Sequence, residues 1–482
     1  MKKKNIIVFM TDQLNADTLN KPERKAITPN IDSFRCDATQ FDQAYTVAPH
    51  CCPSRVAFFS SLYPSQSGVW NNVEVDNALS RGPYDGVTLL QEKLKAADYT
   101  TVFSGKWHVS AYEGPTDRGF DYNLHEYISN YGRFKPENRP RTNDWKLVYA
   151  DRNSIKLDDT KEFGEILRKG YPKYYHFGVD NDPFGDTKTV KEACDFLDSM
   201  PQDNPFFLFV GTTGPHDPYS PPQAYLDMYK DVSITLPDNF HDPMKDKPAL
   251  YRRTRDQFTL TETEHIEGIR RYLAFVSFED ALFGKLMRKL KEKELYEDSI
   301  IIFLSDHGDY VSAHGLWAKG LPCFREAYQI PLLMKVPGVR GGGKIDNLVS
   351  ITDVAPTILD IVGLEPFVHG GNSLLPLLEN KEAPWRAELF SQTNGNEVYG
   401  IQRSVWNTSW KYVLNMFDYD ELYDLQNDPG ELQNLAQQPE MQPIIKEMCK
   451  KLWAFAKEHD DNCTCPYIMV SLAPYGPGIL LE

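Results

Sequence analysis

The chain has 482 residues, with 52 Lys and Arg set against 68 Asp and Glu for a formal charge of −16 at pH 7. That balance leaves no basic excess to release counterions from a nucleic-acid backbone. Nucleic acid is therefore excluded as a partner, and an anionic ligand would need a local cluster of cations. Hydrophobic residues make up 41% and charged residues 25%, a globular composition with ample material for a core, and the length points to one large domain with a smaller one attached.

In chain order, Asn5 to Met10 is the first short apolar run. It is too short for a signal-peptide core or a membrane span, and no other run approaches span length. The chain as given is expected to be cytoplasmic and without membrane contact, a leader removed beforehand aside. Thr11-Asp12-Gln13 follows the run directly. Next, Cys51-Cys52-Pro53-Ser54-Arg55 opens a helical run from Pro53 to Leu62. Proline suits a first helical turn, so Cys51 falls at a helix N-terminus, where free N–H groups favour an anion. Two buried cysteines on an ordinary amphipathic helix would read the same in isolation, and other segments have to decide.

Helical periodicity over Thr88 to Ala97 leads into the run Thr100 to Ser104 and then Gly105-Lys106-Trp107-His108. At a period of two, Lys106 and His108 share a face while Trp107 turns into packing. Residues 121–186 break the alternation: the segment is loop-like and carries Tyr127, Tyr131, Arg133, Trp145, Lys146 and Tyr174. It has the length of a lid or substrate-selecting insertion, or equally of a solvated surface excursion. A helical pattern over Lys188 to Met200 precedes the run Pro205 to Gly211 and Pro215-His216-Asp217-Pro218. A long helical pattern, Thr263 to Glu294, precedes the run Ser299 to Leu304 and Ser305-Asp306-His307-Gly308, with Lys319 shortly after and the run Pro331 to Val336 beyond.

These apolar runs read as strands buried on both faces, so the predicted class is α/β, a large mostly parallel sheet flanked by helices. In such sheets ligands bind at the carboxyl ends of the strands, where the polar motifs fall. Asp12, Gln13, Asp306 and His307 offer donors for one divalent cation, and Lys106 with His108 can bind an oxyanion and move a proton. From about Glu388 the pattern changes to strand-like pieces, Val398 to Arg403 and Ser409 to Leu414, a turn around Asn427 to Gly430 and a helix from Met441 to Glu458. The predicted division is a catalytic part, 1–387, and a small α+β subdomain, 388–482. The eight cysteines show no zinc-ribbon or disulfide-scaffold spacing; mostly reduced thiols are expected, with Cys463 and Cys465 structural or incidental.

Taken together, Cys51-x-Pro53-Ser54-Arg55, Gly105-Lys106-Trp107-His108 and Ser305-Asp306-His307-Gly308 resemble the type I sulfatases of the alkaline phosphatase superfamily. The likeness runs on through Glu421-Leu422-Tyr423-Asp424-Leu425 and Asp428-Pro429, nearly the whole chain. The resemblance implies an alkaline-phosphatase-like fold and a sulfuric ester hydrolase in which Cys51 is oxidised to formylglycine by a maturation enzyme. The aldehyde hydrate is a geminal diol: one hydroxyl attacks sulfur and the alcohol leaves, then the second expels sulfate and restores the aldehyde. By the same likeness Asp12, Gln13, modified Cys51, Asp306 and His307 ring a metal ion, calcium by family. Arg55 would hold the formylglycine, and Lys106 and Lys319 would neutralise sulfate oxygens. His108 would take the proton when sulfate leaves, and His216 with Lys319 would protonate the leaving alcohol.

Two positions depart from the family pattern. Many sulfatases have Asp at the position of Gln13 and Asn at that of His307. A nitrogen donor brings manganese or magnesium into range and moves the chain toward the phosphonate monoester and phosphodiester hydrolases that share the formylglycine. Gln13-Leu14, His216-Asp217-Pro218-Tyr219 and Gly315-Leu316-Trp317-x-Lys319 are also similar to choline sulfatases. The expected substrate is an organic sulfate monoester, with a sulfated sugar favoured because aromatic and basic side chains of 121–186 can stack on an anionic glycan. A phosphonate monoester or phosphodiester hydrolase, and a non-catalytic binding protein on the same fold, are the two alternatives.

Overall fold

The computed structural model describes residues 3–75, 77–126, 155, 160–200, 204–462 and 471–482. Tyr127, Tyr131, Arg133, Trp145 and Lys146 of the predicted insertion, and Cys463 and Cys465, lie outside the described residues. The principal strands of the large part are β1 (Asn5–Thr11), β2 (Thr39–Phe41), β3 (Thr100–Gly105), β4 (Tyr122–Glu126), β5 (Phe206–Gly211), β6 (Ser299–Ser305), β7 (Leu332–Lys335) and β8 (Lys344–Ile345). Its principal helices are α1 (Cys51–Ser60), α2 (Leu90–Ala96), α3 (Asp186–Ser199), α4 (Glu262–Glu292) and α5 (Val354–Ile361).

The eight strands form one sheet in the order β8-β2-β7-β6-β1-β5-β3-β4. Strand alternation builds the two layers around it. Ile6, Val8 and Met10 of β1 point into a core shared with α1, α2 and α5, whereas Ile7 and Phe9 point into one shared with α3 and α4. A strand covered on both faces has no polar side, which is why these segments read as continuous apolar runs. β1 pairs in parallel with β6 and with β5, and β3 in parallel with β5 and β4. The register matters for function: Thr11 stands beside Ser305, and Gly105 beside Gly211. The residues that follow all four strands therefore leave the sheet at one edge.

A Cβ on Gly105 would come within 1.9 Å of the Gly211 carbonyl oxygen, and its φ of 109° lies in the region open to glycine. Glycine at this point is what lets β3 turn its chain into the site. The sequence expectations differ from the structure in several places. β7 runs antiparallel to β6 and β2; burial on both faces gives the same apolar run in either direction. The short strands β2, β4 and β8 carry too few residues to show a pattern. The pleat does not bring Lys106 and His108 to one face, because β3 ends at Gly105 and His108 turns left-handed with φ 55°. The helix at Cys51 begins at Cys51 itself and stops at Ser60, where Ser61 takes φ 64°. Pro53 still falls in the first turn, whose N–H groups have no partner within the helix.

The C-terminal part is a four-stranded antiparallel sheet, β9 (Leu389–Gly395), β10 (Tyr399–Trp406), β11 (Trp410–Asn415) and β12 (Glu421–Asp424), followed by α6 (Gln442–Glu458). β10, β11 and α6 follow the predicted pieces closely, while β9 and β12 were not among them. One face of this sheet packs on α6 through Val405, Tyr412 and Leu414. Its other face, with Trp406, Val413 and Tyr423, meets Tyr45, Tyr251, Tyr310 and Phe324 of the large part.

Candidate active site

At the carboxyl edge of the sheet, Asp12 leaves β1, Asp306 and His307 leave β6, and Cys51 opens α1. Their ligand atoms all lie within 4.8 Å of one another, and all four residues are buried. Calcium–oxygen distances of about 2.3–2.6 Å put opposite donors up to about 5 Å apart, so the set has the size and chemistry of a single-cation site. Gln13, predicted as a fifth ligand, turns its carboxamide elsewhere. Nε2 donates to Asp309 Oδ2 at 2.6 Å and to Asp217 Oδ1 at 3.2 Å, while Oε1 accepts from Lys319 Nζ. An amide oxygen has two acceptor sites, so one remains after Lys319.

Arg55, one turn along α1 from Cys51 and fully buried, ties the cluster together. Nε donates to Asp306 Oδ2 at 2.9 Å, Nη2 to Asp12 Oδ2 at 3.1 Å and Nη1 to the Lys106 carbonyl at 2.8 Å. Lys106 Nζ adds a 2.7 Å ion pair with Asp12 and lies 3.7 Å from Cys51 Sγ. Cys51 Sγ is 3.2 Å from His307 Nε2, whose Nδ1 side is held by the Gly308 carbonyl at 2.9 Å. That contact leaves Nε2 facing the thiol and the carboxylates.

The charges shift accordingly. Burial pushes the Cys51 thiol up, but Lys106, Lys319 and His307 outweigh it and hold it well below the usual thiol range. Burial and Cys51 push Asp12 up, and Lys106, His216 and Arg55 more than reverse this. Asp306 goes the other way, raised by burial and by Asp12. Burial lowers His307, yet Asp306 and Cys51 carry it to about 9. Two buried carboxylates that differ in this way share a space that favours positive charge.

A second group faces the same opening. Lys319 Nζ lies 2.7 Å from His216 Nε2, and His216 Nδ1 2.7 Å from the Asp217 carbonyl. Asp217 accepts from Tyr174 OH at 2.6 Å, so one aromatic of the predicted insertion does reach the site. His108 interacts with the Cys51 thiol and lies 3.8 Å from Glu74. Lys106, His108 and His216 line a cleft of about 280 Å³ together with Glu74, Phe184 and Asp217. The structure thus gathers Asp12, Cys51, Arg55, Lys106, His108, His216, Asp306, His307 and Lys319 in one place.

Sequence reasoning assigned no role to Glu74, Phe184, Asp217 or Asp309. Asp217 lies inside a quoted motif and Asp309 three residues past Asp306. Glu74 and Phe184 sit in irregular segments with no local signal. Asp309, pushed up to about 6 by burial, accepts from Tyr219 OH at 2.6 Å and so anchors Gln13 from behind.

Residues 4–364 match the family described as Sulfatase, and residues 312–458 match that described as N-sulphoglucosamine sulphohydrolase, C-terminal. A choline-sulfatase of Rhizobium meliloti is 27% identical over 464 residues, covering 91% of this chain and 83% of its own. The phosphonate monoester hydrolase of Agrobacterium radiobacter shares the fold with a TM-score of 0.75 at 22% identity, covering 95% of this chain and 96% of that one. BT4656, solved with its substrate D-glucosamine-2-N,6-O-disulfate, shares it with a TM-score of 0.73 at 20% identity, covering 96% and 99%.

Proposed function

The chain belongs to the sulfatase family, and we propose that it hydrolyses an organic sulfate monoester, a carbohydrate sulfate in the first instance, using Cys51 matured to formylglycine. The observation that carries the reading is the position of Cys51. It opens a buried helix within reach of two carboxylates, an imidazole and Lys106, where an anion is drawn in and a metal can be held. The substrate of BT4656 supports the sugar assignment by likeness of fold.

When bound at Asp12, Cys51, Asp306 and His307, a divalent cation, calcium by family with manganese or magnesium admitted by His307, would polarise the nucleophile and one sulfate oxygen. Formylglycine would supply an oxygen nucleophile and spare water a direct attack on sulfur. The chain's own side chains do the rest. Arg55 aims Asp12 and Asp306 and sets a fixed positive charge between them. Lys106 and Lys319 donate to sulfate oxygens as charge builds on them. His216 Nε2 shares a proton with Lys319 Nζ, and this pair delivers it to the leaving alcohol. His108, beside residue 51, takes the proton released as sulfate departs. A maturation enzyme that oxidises Cys51 is the implied partner.

The test is turnover of an aryl sulfate against an aryl phosphodiester by matured protein, alongside intact mass. Oxidation of Cys51 removes about 18 Da by formula arithmetic. Faster turnover of the phosphodiester would move the assignment to the phosphonate and phosphodiester hydrolases. An unmodified thiol in protein from its native host would favour a binding role.

A further inference from the structure

The cleft beside Cys51 is uneven in charge. Its basic lining residues, Lys106, His108 and His216, are the ones assigned to sulfate and proton transfer, and what remains is Glu74, Phe184 and Asp217 together with a threonine. Asp217 is already occupied by Tyr174, Gln13 and His216. Glu74 is not. Its side chain is only 12% exposed, and among the described residues its close charged neighbour is His108, at 3.8 Å, beyond hydrogen-bond distance.

The position of Glu74 is built rather than incidental. Arg81 Nη1 donates to the carbonyls on either side of it, Val73 at 2.7 Å and Val75 at 2.6 Å. The Val73 N–H donates to Cys52 Sγ at 3.3 Å, and the Cys52 N–H to Asn72 Oδ1 at 3.1 Å. The segment is thus fastened to the first turn of α1, the same turn that presents residue 51. Phe184 gives the cleft an apolar wall, its ring stacked on Phe275 at 5.9 Å and edge-on to His216 at 6.3 Å.

A carboxylate on the cleft wall, with no protein donor within hydrogen-bond distance among the described residues, is open to a donor brought by the ligand. A second anion on the ligand would meet it with no cation of the cleft left to offset the repulsion. We propose that Glu74 selects the alcohol half of the substrate. The accepted sulfate ester carries a hydroxyl or ammonium donor beside the esterified carbon, has no carboxylate or second sulfate there, and lays an apolar ring face on Phe184. This rests on the sulfatase reading and narrows it to neutral or amino sugars rather than uronic acids.

The experiment compares kcat/KM of matured enzyme on glucosamine 3-sulfate, galactose 4-sulfate and galacturonic acid 4-sulfate, whose carboxylate sits on the carbon next to the esterified one, with 4-nitrophenyl sulfate as reference. Wild type is expected to favour the first two over the uronate by about tenfold or more. Glu74→Gln should narrow that ratio and Glu74→Lys should reverse its order. Equal rates on the three sugars in wild type, or a loss in Glu74→Gln common to every substrate with the ratio intact, would overturn the proposal; the second result would make Glu74 a partner of His108. Absence of turnover on 4-nitrophenyl sulfate and all three sugars would overturn the sulfatase reading, and this inference with it.

Discussion

Arg55 shows how much of the site depends on the shape of one side chain. Its guanidinium reaches Asp306, Asp12 and the Lys106 carbonyl at once, a planar fork that an ammonium cannot reproduce. Arg55→Lys keeps the charge yet should lower metal affinity by roughly 10–100-fold, the usual cost of losing support behind metal ligands, measured by metal titration of the purified protein. The nucleophile and the proton acceptor of the proposed mechanism make separable predictions. Cys51→Ala should abolish even the first release of alcohol, whereas His108→Ala should release one alcohol and then hold the sulfate on the enzyme, seen by rapid quench and intact mass. On the proposed mechanism Lys319→Ala removes a donor to sulfate, and it removes the 2.7 Å partner of His216. A loss of about 3–4 kcal/mol in transition-state stabilisation, roughly 150- to 900-fold in kcat, is expected.

At the scale of elements, the site is framed by α1 and by the segment after β5. That segment is held from below by α3 and α4. Asp186 accepts from the N–H groups of Thr213 at 2.9 Å and Gly214 at 2.8 Å. Glu279 of α4 packs so closely that a Cβ on Gly214 would come within 2.1 Å of its Oε1. Burial pushes Asp186 up to about 7 against the opposing backbone donors, and Glu279 is raised well above its usual range by burial and then by Asp186. Unfolded Asp and Glu titrate near about 4. Between there and about pH 7 the folded chain therefore holds protons that the unfolded chain has lost, so stability falls as pH rises through that window. Glu279→Gln removes the raised acid and should shrink the difference in Tm between pH 5 and pH 8. An unchanged difference would mean that the pair does not hold a proton.

Across the whole molecule, the C-terminal sheet serves as a wall of the large part. Asn396 Oδ1 accepts from the Asn72 N–H at 2.9 Å and Gln392 Oε1 from the Ser65 N–H at 3.0 Å, which fixes the segment after α1. A common apolar cluster joins Trp406, Val413 and Tyr423 to Tyr251, Tyr310 and Phe324. Truncation after residue 387 would expose that face and should leave the remainder insoluble or unfolded, judged by expression and circular dichroism. Among the described residues no helix is long and apolar enough to cross a membrane. The sequence by itself determined the central strands β1, β3, β5, β6 and β7, since burial on both faces leaves an unbroken apolar run, and with them the polar motifs at their ends. It also carried the family, in the spacing of Cys51, Pro53 and Arg55. Only the tertiary structure decided the direction of β7, the turn of Gln13 toward Lys319, and the approach of Glu74 to His108. Those depend on strand order and on contacts between segments far apart in the chain, and no local pattern of residues encodes which distant segment will arrive beside them.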